Sequence, residues 1–240
     1  MTILECCELL RSKADGQQAE HLARFFKTGK GEYGEGDRFL GIKVPVVRSV
    51  AAMCDEFDLE RASALLDDPY HEVRLLGGLL LVRMYDKCKA GATDREAIVA
   101  FYLENLSKLN NWDLIDLTCY NILGHWSLTH DRSVLYTLAT SSNIWEQRAS
   151  IVSTMALLRN GQLDDTFRIA ELLLDNREDL MHKAVGWLLR EAGKRDRARL
   201  DAFLLAHYPR IPRTALRYAI EKHPEHERKA WLERKFVYLR

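Results

Sequence analysis

The chain has 240 residues, 47% hydrophobic and 29% charged, an ordinary globular composition long enough to bury a sizeable core. Its longest unbroken apolar stretch lies around Leu75–Val82 and holds two glycines, far short of the ~20 residues of a membrane-spanning helix. The start, Met1-Thr2-Ile3-Leu4-Glu5, lacks the basic residues and apolar run of a secretory signal, so a cytoplasmic protein is expected. The five cysteines are odd in number and form no C-x-x-C pair, which points to a reduced compartment without a zinc site. Lys plus Arg equals Asp plus Glu at 35 each, but Met181–Arg240 carries 15 basic and 7 acidic residues, so the rest of the chain is acidic to the same extent. A basic C-terminal third is the electrostatic footprint of a polyanionic partner. Its short run Arg195, Arg197, Arg199, taken alone, reads better as a solvated helix face.

Apolar residues recur at helical spacing almost throughout and strand-like alternation is scarce, so an all-α chain is expected. The first predicted helices cover 2–13 and 17–28. Gly29-Lys30-Gly31-Glu32-Tyr33-Gly34-Glu35-Gly36-Asp37 follows, with four glycines in nine residues: a loop or small hairpin, too acidic to cradle a phosphate. Helices then run over 44–55, 58–67, 69–86 and 94–109, with Pro69 in a first turn and Asp94 as an N-cap. The next covers 111–126, and after it come 131–140, 143–159 with Ser142 or Asn143 as N-cap, 163–174 and 177–193. The last three are 197–206, 212–222 with Pro212 in its first turn, and 225–235. His223-Pro224-Glu225-His226 has loose ligand spacing, but proline breaks the helix and no third ligand is near, so it reads as a surface turn and no metal is expected.

Short helices with short links suggest an α-solenoid of helical-hairpin repeats. The windows Asp67–Met84, Ser141–Leu158 and Asn176–Gly193 each open polar, reach a basic residue seven places on (Arg74, Arg148, Lys183), then run apolar. Arg48 and Arg217 extend the register on either side, and Asp116 occupies it in between, at intervals of 26, 42, 32, 35 and 34 residues. In a solenoid the second helices of successive pairs line one concave surface, so this register predicts a basic track suited to a phosphate backbone. Asp116 has the wrong sign for such a track. It is there either for chemistry or as a structural bridge to Arg148.

Trp112 lies four residues before Asp116, Trp145 three before Arg148, and Trp187 four after Lys183 and three before Arg190. Single aromatic residues at helical spacing are usually core, but three sit one turn from the charged stripe.

Four segments carry a resemblance: Phe39-Leu40-Gly41-Ile42-Lys43-Val44-Pro45, Trp112-Asp113-Leu114-Ile115-Asp116, Asn143-Ile144-Trp145-Glu146-Gln147-Arg148-Ala149, and Lys183-Ala184-Val185-Gly186-Trp187-Leu188-Leu189-Arg190-Glu191. Together they resemble the bacterial DNA alkylation-repair glycosylases of the HEAT-like repeat fold, over nearly the whole chain. The resemblance implies an α-solenoid of HEAT-like repeats with a concave basic surface, here one domain over 1–240, acting as a monomer on duplex DNA with alkylated bases and needing no cofactor. It implies a catalytic role for Asp116, with Trp112 and Trp187 flanking the damaged nucleotide and Arg148 completing the cleft. Lys43 and Arg48 match positions near the DNA backbone, and Lys183, Arg190, Arg213 and Arg217 are further candidates for phosphate contact. Two departures stand out. Phe25 replaces a tyrosine of the best-known members, keeping the ring and losing the hydroxyl. The Gly29–Asp37 segment is longer than their link, and could touch DNA or obstruct it.

These residue types suit hydrolysis of an N-glycosidic bond. An N3- or N7-alkylpurine is already cationic and leaves without an acid. Positive charge then builds on the deoxyribose, where a carboxylate stabilises it and orients water. No lysine nucleophile is required, so a monofunctional glycosylase is expected. The alternatives are a non-catalytic binder of damaged or branched DNA on the same fold, and a protein-binding scaffold, which the basic track around Asp116 disfavours.

Overall fold

The structure, a computed structural model, describes residues 1–88 and 93–234, and its helices fall into two compact units, Met1–Ile122 and Leu123–Arg240. The N-terminal unit holds α1 (Ile3–Arg11), α2 (Gly16–Phe25), α3 (Val44–Met53), α4 (Leu59–Leu66), α5 (His71–Lys87), α6 (Thr93–Glu104) and the short α7 (Trp112–Asp116). The C-terminal unit holds α8 (Ser133–Ala139), α9 (Ile144–Arg159), α10 (Asp164–Leu173), α11 (Asp179–Gly193), α12 (Arg197–His207), α13 (Arg213–Ala219) and α14 (Glu225–Glu233). The expected helix over 225–235 ends beyond the described residues.

Helix starts are written locally. Thr2 and Glu5 form a capping box, and the side chains of Asp15, Asp58, Asn111, Asn143 and Asp196 each accept a backbone N–H of the helix that follows. Asp94 and Pro212 fall close to their expected places: Asp94 is the second residue of α6 rather than its N-cap, and Pro212 precedes α13 as its N-cap rather than opening its first turn. Pro69 lies ahead of α5, whose N-cap is Tyr70.

One helix organises each unit. Most of α5 is buried, and α3, α4, α6 and α7 pack on it. Most of α9 is buried as well, against α8, α10 and α11, while α11 also packs on α12 and α13. A helix apolar nearly all round belongs in a core. The α11–α13 approach is close because Gly186 lacks a side chain: a Cβ there would collide with the Ala215 carbonyl. The register residues Arg48, Arg74, Asp116, Arg148, Lys183 and Arg217 fall on α3, α5, α7, α9, α11 and α13, one per helical pair.

The regularity breaks around the candidate site. The expected helix 94–109 ends at Glu104 and continues as a 3₁₀ turn, Leu106–Lys108. The expected helix 111–126 becomes α7 and then a π-helical turn, Tyr120–Gly124. Between them the Thr118 hydroxyl bonds back to the Leu114 carbonyl at 2.6 Å and meets the buried Tyr102 hydroxyl at 2.6 Å, competing with the regular ladder. Gly29–Asp37 forms turns rather than a hairpin, and the only β-type pairing among the described residues is one parallel bridge, Arg38 to Tyr70. No described helix is long and apolar enough to cross a membrane.

Candidate active-site cleft

The first turn of α5 builds the cleft of the N-terminal unit. The buried Glu72 carboxylate accepts three successive backbone N–H groups, from Leu40 at 2.8 Å and from Gly41 and Ile42 at 2.9 Å. Such a row of amides is an anion-binding concavity, here filled by the protein's own side chain. Gly41 makes the bend possible: its φ of +87° suits glycine, and a Cβ would run into the Asp15 carbonyl. The segment fixed in this way delivers Lys43 to the N-terminus of α3.

His71, one residue earlier, joins two other elements. Its Nδ1 lies 2.9 Å from Asp37 Oδ2, at the end of the glycine-rich loop, and its Nε2 lies 3.0 Å from Asp113 Oδ2 on α7. Asp37 also accepts from Arg74 and, at 3.1 Å, from Asn111 Nδ2, whose own Oδ1 accepts the Trp112 N–H at 2.9 Å. Burial alone would lower the His71 pKa, but Asp113 and Asp37 outweigh it and raise it to about 9. Burial pushes the Asp37 carboxyl up, yet His71 and Arg74 together hold it below its usual value.

Above this charged floor stands an aromatic column. Trp112 stacks on Phe26 at 5.2 Å, Phe26 on Phe39 at 5.1 Å, and Phe39 on His71 at 4.6 Å. Phe25, 57% exposed, sits edge-on to Trp112 at 6.1 Å. The cleft they bound has a volume of about 390 Å³, and Lys43, Asp116 and Leu117 also line it. Its wall is almost wholly carbon, although the half-buried Asp116 is among the residues that line it.

Four residues singled out from the sequence therefore share one cleft: Phe25, Lys43, Trp112 and Asp116. Arg48 is exposed on α3 and does not line it. Arg74 does not belong to the basic track that the register suggested. It is 6% exposed and committed to Asp37, Asn110 and the Asp68 carbonyl, because the loop brings a buried carboxylate that needs a counter-charge.

In the C-terminal unit, Trp187 lines a separate cleft of about 370 Å³ with Met155, Leu158, Arg159, Glu191 and Arg195. Arg195 thus stands on a turn after α11, beside an indole, rather than on a helix face. Arg148 is buried and donates to the Leu180 carbonyl at 2.9 Å. Lys183 pairs with Asp179 at 2.8 Å, and Arg190 with Glu191 and Glu221. Arg213 and Arg217 are exposed on α13, with no acidic partner among the described residues. Sequence reasoning missed Asp37, His71, Glu72, Phe26 and Phe39. The one available signal was the adjacent ionisable pair His71-Glu72 opening an otherwise apolar helix.

A family model described as DNA alkylation repair enzyme matches residues 7–223. The chain belongs to this family. Membership supports an enzyme with a role in DNA repair. A solved structure, a predicted DNA alkylation repair enzyme from Enterococcus faecalis, shares the fold with a TM-score of 0.67 at 16% identity, over 88% of this chain and 97% of that one. A search of curated proteins returns no match.

Proposed function

We propose that this member of the DNA alkylation repair family is a monofunctional DNA glycosylase that hydrolyses the N-glycosidic bond of cationic N3- or N7-alkylated purines in duplex DNA. The observation that carries the reading is Asp116 among the residues lining an aromatic, mostly carbon-walled cleft. In such surroundings a carboxylate acts on a developing cation far more strongly than in water. As the bond between C1′ and the base nitrogen lengthens, its electron pair passes to the base, which leaves neutral. Positive charge builds on the sugar facing Asp116. Water adds to C1′ and gives up its proton to Asp116 or to solvent. Trp112 and Phe25 supply π faces that favour an adjacent cationic group, and Lys43 holds a flanking phosphate. Arg48 from the N-terminal unit, with Arg148, Lys183, Arg190, Arg213 and Arg217 from the C-terminal unit, contributes to holding the duplex. Trp187, with Arg159 and Arg195 beside it, offers a stacking surface next to two phosphate-binding groups.

The test is incubation with N-methylated duplex DNA and chromatography of the released bases. Free 3-methyladenine or 7-methylguanine is expected, without strand cleavage. Tight binding of the methylated duplex with no base released above the enzyme-free rate would replace this reading by a non-catalytic binder of damaged DNA.

A further inference from the structure

We propose that His71 is a positioning residue of the candidate active site: donating from both ring nitrogens, it pins α7, and with it Trp112 and Asp116, to the glycine-rich loop. The activity arm of its test rests on the glycosylase reading; the structural arm does not. Both ring nitrogens face carboxylate oxygens, Asp37 at 2.9 Å and Asp113 at 3.0 Å. A neutral imidazole has one N–H, so losing a proton would turn a lone pair toward one of the two carboxylates. His71 is 2% exposed, so water cannot substitute.

The element being held cannot hold itself. α7 has five residues, little more than one turn, and so short a helix has no stability of its own. Its first residues are fixed from outside. Asn111 caps it and donates to Asp37, and Asp113 accepts from His71 while its other oxygen takes the Leu114 N–H at 2.9 Å. Trp112 and Asp116 follow from that placement.

The charged groups around His71 leave Asp113 dependent on it. From the loop comes Asp37, already shared with Arg74 and Asn111. From α5 itself, Glu72 is committed to the Leu40–Ile42 amides. Lys43 and Asp116 line the same cleft, and Phe26 and Phe39 stack on the ring. Among the described residues His71 is the one charged partner of Asp113. The raised His71 pKa of about 9 agrees with the doubly protonated form at neutral pH. The glycine-rich loop thereby gains a role. It places Asp37 under the cleft, where His71 couples it to α7.

The decisive comparison is the wild type against Asp113→Asn. An amide can accept from a protonated ring or donate to a neutral one, so α7 stays pinned in both states of His71. Protein labelled with 5-fluorotryptophan, its Trp112 resonance assigned by Trp112→Phe, is titrated by ¹⁹F NMR from pH 7 to 10. Circular dichroism confirms the fold at each point. In the wild type the Trp112 resonance is expected to move with a midpoint near 9. In Asp113→Asn that transition is absent. Single-turnover base release on methylated duplex, corrected for the enzyme-free rate, falls by roughly tenfold or more across the same transition in the wild type, the scale of a misplaced catalytic group. It stays flat in Asp113→Asn whatever its level. His71→Gln, which keeps a donor and an acceptor without the charge, also loses the transition while still binding undamaged duplex. A wild-type Trp112 resonance that does not titrate between pH 8 and 10, or a transition that survives in Asp113→Asn, overturns the proposal. If the wild type releases no base from any methylated duplex, the glycosylase reading falls while the ¹⁹F titration still decides the pin.

Discussion

The two units answer the same repeat pattern in opposite ways. The N-terminal unit takes charge inside: Asp37, His71, Glu72, Arg74 and Asp113 are all buried. The C-terminal unit leaves most of its arginines at the surface, where Arg199 pairs with Asp164, Arg197 with Glu227 and Arg210 with Asp175. Arg74 and Lys183 show the difference within one register. Each lies seven residues into an aligned window, yet Arg74 is buried against a carboxylate from a distant loop, and Lys183 is half-exposed against Asp179 one turn back. Periodicity says which helix and which turn a residue occupies. What it meets there depends on whether an insertion such as Gly29–Asp37 brings a charge to the same place.

The largest expected effect follows directly. Arg74→Ala leaves the Asp37 carboxylate buried with His71 as its remaining cation and should cost about 3–5 kcal/mol, the usual consequence of breaking a buried pair from one side. Lys183→Ala removes an exposed i,i+4 pair and should cost less than about 1 kcal/mol. Thermal or urea unfolding of both variants measures the contrast; similar losses would mean that burial does not separate the two halves of the register.

This contrast also marks how much was legible beforehand. The helical content and the one-per-pair register could be read because core faces and caps are local in sequence. Trp112, Asp116, Phe25 and Lys43 could be proposed together only through a resemblance, and the cleft now unites them. The charged floor was not legible, because its bonds join residues 34 and 42 positions apart in sequence, His71 to Asp37 and His71 to Asp113, and no period links them. The end of α7 was missed because the Thr118 hydroxyl acts through a single side chain inside a helix-like run.

A pH dependence sharpens the comparison next. The folded His71 pKa of about 9 lies above the ordinary histidine value of 6.5. Its contribution is therefore full below about pH 6.5, declines as pH rises toward 9 and is gone above it; a shift of this size corresponds to roughly 3 kcal/mol. Asp37 has the opposite sign: its depressed pKa contributes above the ordinary carboxylate range and is lost as pH falls through the folded value. The N-terminal unit should thus weaken on both sides of neutrality. Hydrogen exchange or melting across pH 5–9.5 should show the alkaline loss in Met1–Ile122 and a smaller one, or none, in Leu123–Arg240. An equal alkaline loss in both units would contradict the assignment to His71.

Asp116→Asn separates chemistry from packing in the same unit. It keeps the shape and removes the charge that should matter only as the sugar becomes cationic. Base release should slow by roughly 10²-fold or more while duplex affinity holds or improves. The melting temperature should change little. A variant that loses stability but releases base at the wild-type rate per folded molecule would make Asp116 a structural group instead.

The smallest effect tests the C-terminal unit alone. A basic residue paired with its own carboxylate contributes less to a phosphate contact than an unpaired one, because engaging DNA strands the partner. Lys183 and Arg190 are in that position, held by Asp179 and by Glu191 with Glu221. Arg213 and Arg217 are not: they lie four residues apart on one face of α13, exposed and without an acidic partner among the described residues. If phosphates bind this unit through unpaired cations, Arg213→Ala and Arg217→Ala should each lower the slope of log affinity against log salt by about 0.9, the value for one phosphate contact. Lys183→Ala and Arg190→Ala should change the slope by less, even where they weaken binding at a fixed salt concentration. Fluorescence titrations of undamaged duplex at four salt concentrations resolve the difference. Equal slope losses at all four positions would mean that the ion pairs open on DNA. The register, rather than present exposure, would then identify the phosphate-binding residues, and the distinction drawn between paired and unpaired cations would fail for this half of the molecule.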